Sequence, residues 1–364
     1  MNTSPIADPV TPARTALVVG ATGIAGSAII EELERAGGWT ILALSRRPGA
    51  KSTVRHIAAD LQSSGSLKEA LGSEQPTHVF FTAWARQDTE EENIRVNSAM
   101  LRDLLGALDH APVEHVALMT GLKQYLGPFE SYGAGPVPDT PFREEAPRLP
   151  VENFYYAQED ELWAAAERRG FRWSVHRSHT VIGHAVGNAM NMGLTLAAQA
   201  SLCQELGMPF VFPGSETQWN GLVDVTDGDL LAEHMVWAAT TESAGNEAYN
   251  IVNGDVFRWR WMWPKLAAYF GVQPEGFEGS PRSLEDQMQG MEQTWSKLAA
   301  THGLMTDDLS KVASWWHTDA DLGRDVEVMA DMGKSRLAGF TGYRRTEDSF
   351  LRLFDRYRAE RIIP

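Results

Sequence analysis

The 364-residue chain predicts an α/β fold: a doubly wound parallel sheet with a mostly helical C-terminal region over it. Three observations carry this expectation. Short apolar runs alternate with helix-spaced segments from residue 15 to about 180, a pattern that places parallel strands between two layers of helices. A glycine triplet, Gly20, Gly23 and Gly26, follows the first run and opens the first helix. Beyond residue 183 the alternation fades into helical segments, several rich in tryptophan, which suits a cap over the carboxyl ends of the strands.

The elements are read in order. Thr15–Gly20 is a short apolar strand ending on glycine, and Ile24 to Ala36 has helical spacing. Trp39–Leu44 and Val54–Ala58 are the second and third strands, followed by a polar helix near Ser66–Leu71 and a strand over Thr77–Thr82. Glu90–His110 places Ile94, Met100, Leu101, Leu104, Leu105 and Leu108 at helical intervals, and Val113–Met119 is the next strand. A helix over Asn153–Arg169 then leads into a strand over Arg172–His176. Short connections make right-handed crossovers the default. Further on, 188–207, a tryptophan-rich stretch over 253–271 and most of 283–317 read as helical, and Leu222–Ala239 returns to the sheet layer.

Composition narrows the classes of function. A formal net charge of −16 disfavours nonspecific binding to nucleic acid or to an anionic membrane, because both would repel the chain. The sole cysteine, Cys203, excludes an internal disulfide framework and fits a reducing, cytoplasmic setting. No window reaches the 18 or so uninterrupted apolar residues that a bilayer span requires. Residues 1–14 hold three prolines and read as a flexible tail. Trp259, Trp261 and Trp263 alternate and cannot all share one helix face, so most of them are assigned to core or interface.

The glycine triplet meets the needs of a pyrophosphate turn. One glycine allows the tight turn, one lets a phosphate approach the backbone, and one lets helix pack on strand. The helix N-terminus near Ile24 then offers its N–H groups and the positive end of its dipole to the phosphates. The end of the second strand selects the nucleotide. An acidic residue there would bond a ribose hydroxyl, but the chain has Ser45-Arg46-Arg47, with Arg46 twenty residues after Gly26. Two guanidiniums attract a 2′-phosphate, so NADP(H) is the expected cofactor of a Rossmann-like domain. Asp60 is expected either at the adenine or as a helix cap. Trp84, after Phe81-Thr82-Ala83, borders the cofactor or packs in the core. The resulting division is a nucleotide domain over 15–183, with 222–255 returning to it, and a substrate-capping region over 184–221 and 256–364.

Four further motifs are Thr120-Gly121-Leu122-Lys123-Gln124-Tyr125-Leu126-Gly127-Pro128-Phe129-Glu130, Asn153-Phe154-Tyr155-Tyr156, Trp173-Ser174-Val175-His176-Arg177 and Asn253-Gly254-Asp255-Val256-Phe257-Arg258-Trp259. Together these residues, over about 15–364, resemble the progesterone 5β-reductase and iridoid synthase-like (PRISE) family of extended short-chain dehydrogenases/reductases. Ordinary members of that superfamily carry a lysine four residues after the catalytic tyrosine; none of the eight tyrosines here does. The resemblance implies NADPH-dependent reduction of the C=C bond of an activated enone or enal, with Tyr155 and Lys123 as the catalytic pair. It also implies cofactor contacts from Gly20, Thr22, Gly23, Ile24, Gly26, Ser45, Arg46, Arg47, Asp60, Leu61, Ala83, Trp84, Thr120, Gly121, Tyr155 and Val181. Substrate contacts are expected from Phe129, Tyr156, His179, Phe340 and Tyr343, the last two as part of a roof. Tyr156 is also read as a packing residue, and Tyr125 and Phe129 as either pocket lining or loop anchors.

Two departures from the plant members are plain: Ser178-His179 replaces Pro-Gly after the arginine, and Gln124 replaces a frequent histidine. A compact linear or monocyclic enone then fits as well as a steroid. The expected partner is a small apolar enone or enal, with a homodimer compatible. His176, His179 and His184 lack an acidic partner nearby in sequence and are not read as a metal site.

The chemistry follows from where charge develops. Hydride addition at the β-carbon turns the carbonyl oxygen into an enolate, and a donor aimed at that oxygen lowers the barrier. Tyr155 is that donor and the Lys123 ammonium favours it electrostatically, while water can protonate the α-carbon. Two other classes stay open at this point. One is a carbonyl reductase or nucleotide-sugar-modifying enzyme of the extended class, which would carry the ordinary tyrosine–lysine spacing. The other is a non-catalytic NADP sensor, which would tolerate loss of both Tyr155 and Lys123.

Overall fold

The structure is a computed structural model that describes residues 14–47, 53–128 and 139–364. The first half supplies β1 (Arg14–Val19), α1 (Ile24–Ala36), β2 (Trp39–Ser45), β3 (Arg55–Ala58), α2 (Ser64–Leu71), β4 (His78–Phe81), α3 (Glu90–Ala107), β5 (His115–Gly121), α4 (Lys123–Leu126), α5 (Phe154–Arg169) and β6 (Arg172–Ser178). The second half adds β7 (Val181–Ile182), α6 (Met192–Leu206), β8 (Phe210–Val211), α7 (Glu216–Asn220), β9 (Thr226–Asp227), α8 (Gly228–Thr240), β10 (Glu247–Ile251), α9 (Trp259–Phe270), β11 (Pro274–Glu275), α10 (Leu284–Gln287), α11 (Glu292–His302), α12 (Trp315–Leu322), α13 (Gly333–Leu337) and α14 (Thr346–Ala359).

Seven strands form one parallel sheet in the order β10-β6-β5-β4-β1-β2-β3. Alternation along a strand feeds two separate cores. Leu17 and Val19 of β1 pack beneath α2, α3 and α5, whereas Ala16 and Val18 pack beneath α1 and α8. Because β1 lies between β2 and β4, the chain reverses direction across the sheet there, and a crevice opens at the strands' carboxyl ends. A third core is built by α6, α9, α11 and α14. Trp259 and Trp263, one helical turn apart, are buried in it, and Trp261 on the opposite face is 54% exposed. Trp263 stacks on Phe210 at 4.0 Å and donates its indole N–H to the Phe210 carbonyl at 2.8 Å, which satisfies its one polar atom. Among the described residues no helix is long and apolar enough to cross a membrane.

A row of buried imidazoles runs across the sheet. The Ser174 hydroxyl lies 2.8 Å from Nε2 of His115 and 2.8 Å from Nε2 of His176, whose Nδ1 is 2.8 Å from Nδ1 of His234. Burial holds His115 and His176 well below the usual histidine range, with charge on neighbouring groups adding to it, and takes His234 down to about 3. Burial likewise brings His78 to about 4. Below about pH 6.5 the unfolded chain therefore binds more protons than the folded one. Each such histidine subtracts up to about 1.4 kcal/mol per pH unit as pH falls from 6.5 toward the folded value. The urea midpoint should accordingly fall clearly between pH 7 and pH 5; an unchanged midpoint would show that these imidazoles are already charged in the fold.

Candidate active site

A cleft of about 800 Å³ follows the carboxyl ends of the sheet. Gly20, Thr22, Gly23 and Ile24 line it after β1, Ser45 and Arg46 at the end of β2, and Asp60 and Leu61 after β3. Ala83 and Trp84 follow β4, Thr120 and Gly121 end β5 with Lys123 just beyond, and His179 and Val181 follow β6, with Tyr155 reaching in from α5. The sheet order thus gathers residues scattered over 160 or so positions into one groove.

The glycine turn is shaped for a close ligand. Gly20 has φ +85, and a Cβ there would meet the Thr82 hydroxyl at 2.9 Å. Gly23 is the N-cap of α1 and carries no side chain to cap the first turn, so those amides are left to a ligand. Gly26 does not line the cleft; a Cβ on it would fall 2.2 Å from the Gly20 carbonyl oxygen, so this glycine lets α1 sit against the turn. Arg46 borders the cleft, whereas Arg47 does not and instead offers its carbonyl to the Ser45 hydroxyl. Asp60 lines the cleft but does not cap a helix: its carboxylate accepts from the Gln62 N–H at 3.0 Å in the preceding turn, and Ser63 is the N-cap of α2. Glycine cradle, bare helix N-terminus, long groove and guanidinium together fit an adenine dinucleotide.

At the other end of the groove stand Tyr155 and Lys123. Gly121 closes β5, and a Cβ there would lie 2.5 Å from the Ser178 carbonyl and 3.4 Å from the Tyr155 hydroxyl oxygen. Glycine at this point therefore lets the tyrosine tip come close to the strand end. Asn153 fixes the pair. Its Oδ1 accepts from the Tyr155 N–H at 3.0 Å as the N-cap of α5, and its Nδ2 donates to the Lys123 carbonyl at 2.5 Å. Glu90 accepts from the Phe154 N–H at 2.7 Å and holds the same helix end from α3. Lys123 is 6% exposed, and its ammonium lies 5.2 Å from the centre of the Phe154 ring, which stacks on Trp84 at 5.6 Å.

Tyr156 takes a different role. Its hydroxyl donates to the Gln124 carbonyl at 2.8 Å and accepts from the Leu149 N–H at 3.0 Å, and its ring lies beneath Arg148. One residue along a helix is a rotation of about 100°, so it faces away from the cleft that Tyr155 enters. Phe340 does not form a roof either; it is buried against His234 and Trp237 on the far face of the sheet. Tyr343 is 49% exposed near Gly254, outside the cleft. Phe129 lies outside the described residues, as do residues 1–13 of the expected tail. Tyr125 is a loop anchor: its hydroxyl donates to Asn250 at 2.5 Å and its ring stacks on Phe142 at 5.0 Å.

Several lining residues were not expected from sequence. Gln158, one turn after Tyr155, shares its helix face and was legible from that spacing. Trp316, His317, Asp321 and Arg324 arrive from α12 and the turn after it, and Arg86 reaches over Trp316 from the β4 side at 4.3 Å. Nothing local in the chain signals that α12 folds back over the sheet. His179 Nε2 pairs with the buried Asp224 carboxylate, whose other oxygen accepts from the Ala330 N–H at 2.9 Å.

Fold and cleft define a dinucleotide-binding protein with the architecture of the extended short-chain reductases. Residues 58–364 match the PRISE-like Rossmann-fold domain family, and the chain belongs to that family. It is 38% identical to the 3-oxo-Δ(4,5)-steroid 5-beta-reductase of Arabidopsis thaliana over 96% of this chain and 93% of that one. It is 38% identical to an (S)-8-oxocitronellyl enol synthase of Camptotheca acuminata and 37% to one of Nepeta cataria, each over 96% of this chain and 93% of the relative. Among solved structures, the Thermotoga maritima UDP-glucose 4-epimerase with UDP-glucose has a TM-score of 0.66 at 15% identity, covering 95% of this chain and 99% of that one. The Thermus thermophilus enzyme of the same name, in complex with NAD, has a TM-score of 0.64 at 19% identity, covering 94% and 99%. At such identities these two share the fold.

Proposed function

We propose that the protein is an NADPH-dependent ene-reductase that saturates the C=C bond of activated enones or enals by 1,4-addition. The observation that carries this reading is that Tyr155 and Lys123, from two separate elements tied together by Asn153, line the same cleft as the glycine turn. The names of the curated relatives, a steroid 5-beta-reductase and enol synthases, agree with it. The ordinary carbonyl-reductase arrangement, with lysine one helical turn after tyrosine, is not in the sequence.

NADPH, held by the Gly20–Gly23 turn, the α1 N-terminus and Arg46, supplies the hydride when bound. The chain's own groups manage the charge that follows. As the β-carbon is reduced, negative charge moves to the carbonyl oxygen, and the Tyr155 hydroxyl donates a hydrogen bond to it. Lys123 sets a positive charge in a buried site, where its field is far less screened than in water. Asn153 keeps the two in register by bonding the backbone of both. A donor that stabilises an enolate need not transfer its proton, so the α-carbon can take a proton from water.

Incubation with NADPH and 2-cyclohexen-1-one, followed by chromatographic analysis, is expected to yield cyclohexanone; 2-cyclohexen-1-ol as the main product would sink the 1,4 assignment. Arg46→Ala should weaken NADPH binding by about tenfold, the worth of one charge-assisted hydrogen bond, and leave NADH unaffected. Titration of protein fluorescence with both nucleotides measures this, and an unchanged ratio would remove Arg46 from the 2′-phosphate site.

A further inference from the structure

An enolate held by Tyr155 still needs a proton at its α-carbon, and that carbon stands two bonds from the oxygen the tyrosine binds. An acid for it must therefore lie close beside Tyr155. The end of β6 provides one. Gly121 of β5 pairs with Ser178 of β6, and a Cβ on Gly121 would lie 2.5 Å from the Ser178 carbonyl oxygen and 3.4 Å from the Tyr155 hydroxyl oxygen. The Tyr155 tip thus sits near the peptide that leads into His179, and both residues line the cleft.

His179 is 5% exposed, and its two ring nitrogens differ. Nε2 pairs with the Asp224 carboxylate, itself buried and held from the far side by the Ala330 N–H at 2.9 Å. Nδ1 has no hydrogen-bond partner within the protein. The backbone around the ring is also fixed: the His179 N–H donates to Thr226 Oγ1 at 3.3 Å, and that hydroxyl donates to the Ile251 carbonyl at 2.8 Å. Thr180 follows at φ +40, a left-handed conformation that a β-branched residue rarely adopts, and Val181 then pairs with Thr226. Buried polar atoms are ordinarily satisfied, so an unpartnered nitrogen beside a ligand cleft points to a group on the ligand. A carboxylate on the opposite nitrogen orients the ring and stabilises its imidazolium form, the arrangement a histidine uses to exchange protons with a substrate.

Resting on the ene-reductase reading above, we infer that His179 is the acid that protonates the α-carbon of the enolate, and that Asp224 is its positioning residue. In the imidazolium both ring nitrogens carry protons. As the enolate carbonyl re-forms, the electron pair of the enolate C=C bond takes the proton from Nδ1; a Cα–H bond forms and the Nδ1–H bond breaks. The ring is left neutral, with its Nε2 proton directed at Asp224, and water restores the proton at Nδ1. Hydride and proton together account for both hydrogens added across the alkene. A side chain thus acts where bulk water would otherwise act, and a fixed acid reaches one face of the enolate, whereas free water reaches either.

Two substrates separate the proton from the hydride. Saturation of 2-methyl-2-cyclohexen-1-one creates a stereocentre at the α-carbon, which the proton sets. Saturation of 3-methyl-2-cyclohexen-1-one creates one at the β-carbon, which the hydride sets. With the full chain, NADPH and short incubations, chiral chromatography should show one enantiomer in excess from each. His179→Gln keeps hydrogen-bonding groups but cannot deliver a proton; it should give a near-racemic α-methyl ketone while the β-methyl ketone keeps its excess. Asp224→Asn, which retains an acceptor for the Ala330 N–H, should lower the excess at the α-carbon in the same selective way. NADPH affinity reports whether each variant is folded. A racemic α-methyl ketone from the wild type overturns the inference while leaving the ene-reductase reading in place. So does an α-carbon excess that survives His179→Gln, or a parallel loss of both excesses, which would mark a change of substrate pose. Failure of the wild type to saturate 2-cyclohexen-1-one overturns the ene-reductase reading and this inference with it.

Discussion

Tyr155→Phe should lower kcat for enone reduction by about 10²–10³, the usual loss when one donor to a developing oxyanion is removed. The substitution deletes a single oxygen from a ring that stays in place. The α5 N-terminus is held by Asn153 and Glu90 through backbone bonds that do not involve the hydroxyl. Cofactor binding should therefore stay within about twofold, because the interaction removed is made only as charge develops on the carbonyl oxygen. Steady-state kinetics with a parallel NADPH titration separates the two effects. A variant that keeps kcat within about tenfold of the parent would place the main oxyanion donor elsewhere.

The second large effect is expected at Gly26, and Gly23 provides its internal comparison. A Cβ on Gly26 would overlap the Gly20 carbonyl oxygen at 2.2 Å and the Ala21 Cα at 2.9 Å, both backbone atoms that cannot rotate away. Gly26→Ala must therefore push α1 off β1, at a cost of about 3 kcal/mol or more, and it disrupts the phosphate turn as well. A Cβ on Gly23 meets the Gly20 carbonyl only at 3.4 Å, an ordinary contact, and its φ of −82 suits any residue. Gly23→Ala should accordingly keep the parent's stability to within about 0.5 kcal/mol while weakening NADPH binding, since the methyl group occupies the space a phosphate needs. Urea denaturation and nucleotide titration of both variants check the contrast. Equal losses of stability would mean that the turn is more compliant than its packing implies.

Much of this fold was legible because its signals are local. The glycine turn, the alternation of strand and helix, and the apolar spacing of α1 and α3 are each written within a few residues. That Tyr155 and Lys123 line one cleft was legible through their motifs, and Asn153 accounts for part of their setting: it caps the helix of one and bonds the backbone of the other. The features that escaped are non-local. The histidine row depends on β5, β6 and α8 meeting, and no segment contains more than two of its members. The contribution of α12 to the cleft depends on the chain returning to it more than 150 residues beyond Tyr155. Phe340 and Tyr343 were placed over the substrate by resemblance alone; the packing of Phe340 on His234 and Trp237 assigns it to the core. Tyr156 shows how little separates the two outcomes, since one step of helix rotation turns a cleft residue into a packing residue.

The central claim is that the Tyr155 hydroxyl meets the carbonyl oxygen of a conjugated substrate at the end of the dinucleotide cleft. A crystal structure of the protein with NADP⁺ and 2-cyclohexen-1-one tests it directly. The expected result is a carbonyl oxygen within about 3 Å of Tyr155 Oη, in hydrogen-bond geometry. An enone whose oxygen turns away from Tyr155 and is held by another donor, with the tyrosine tip packed out of the cleft, would contradict it.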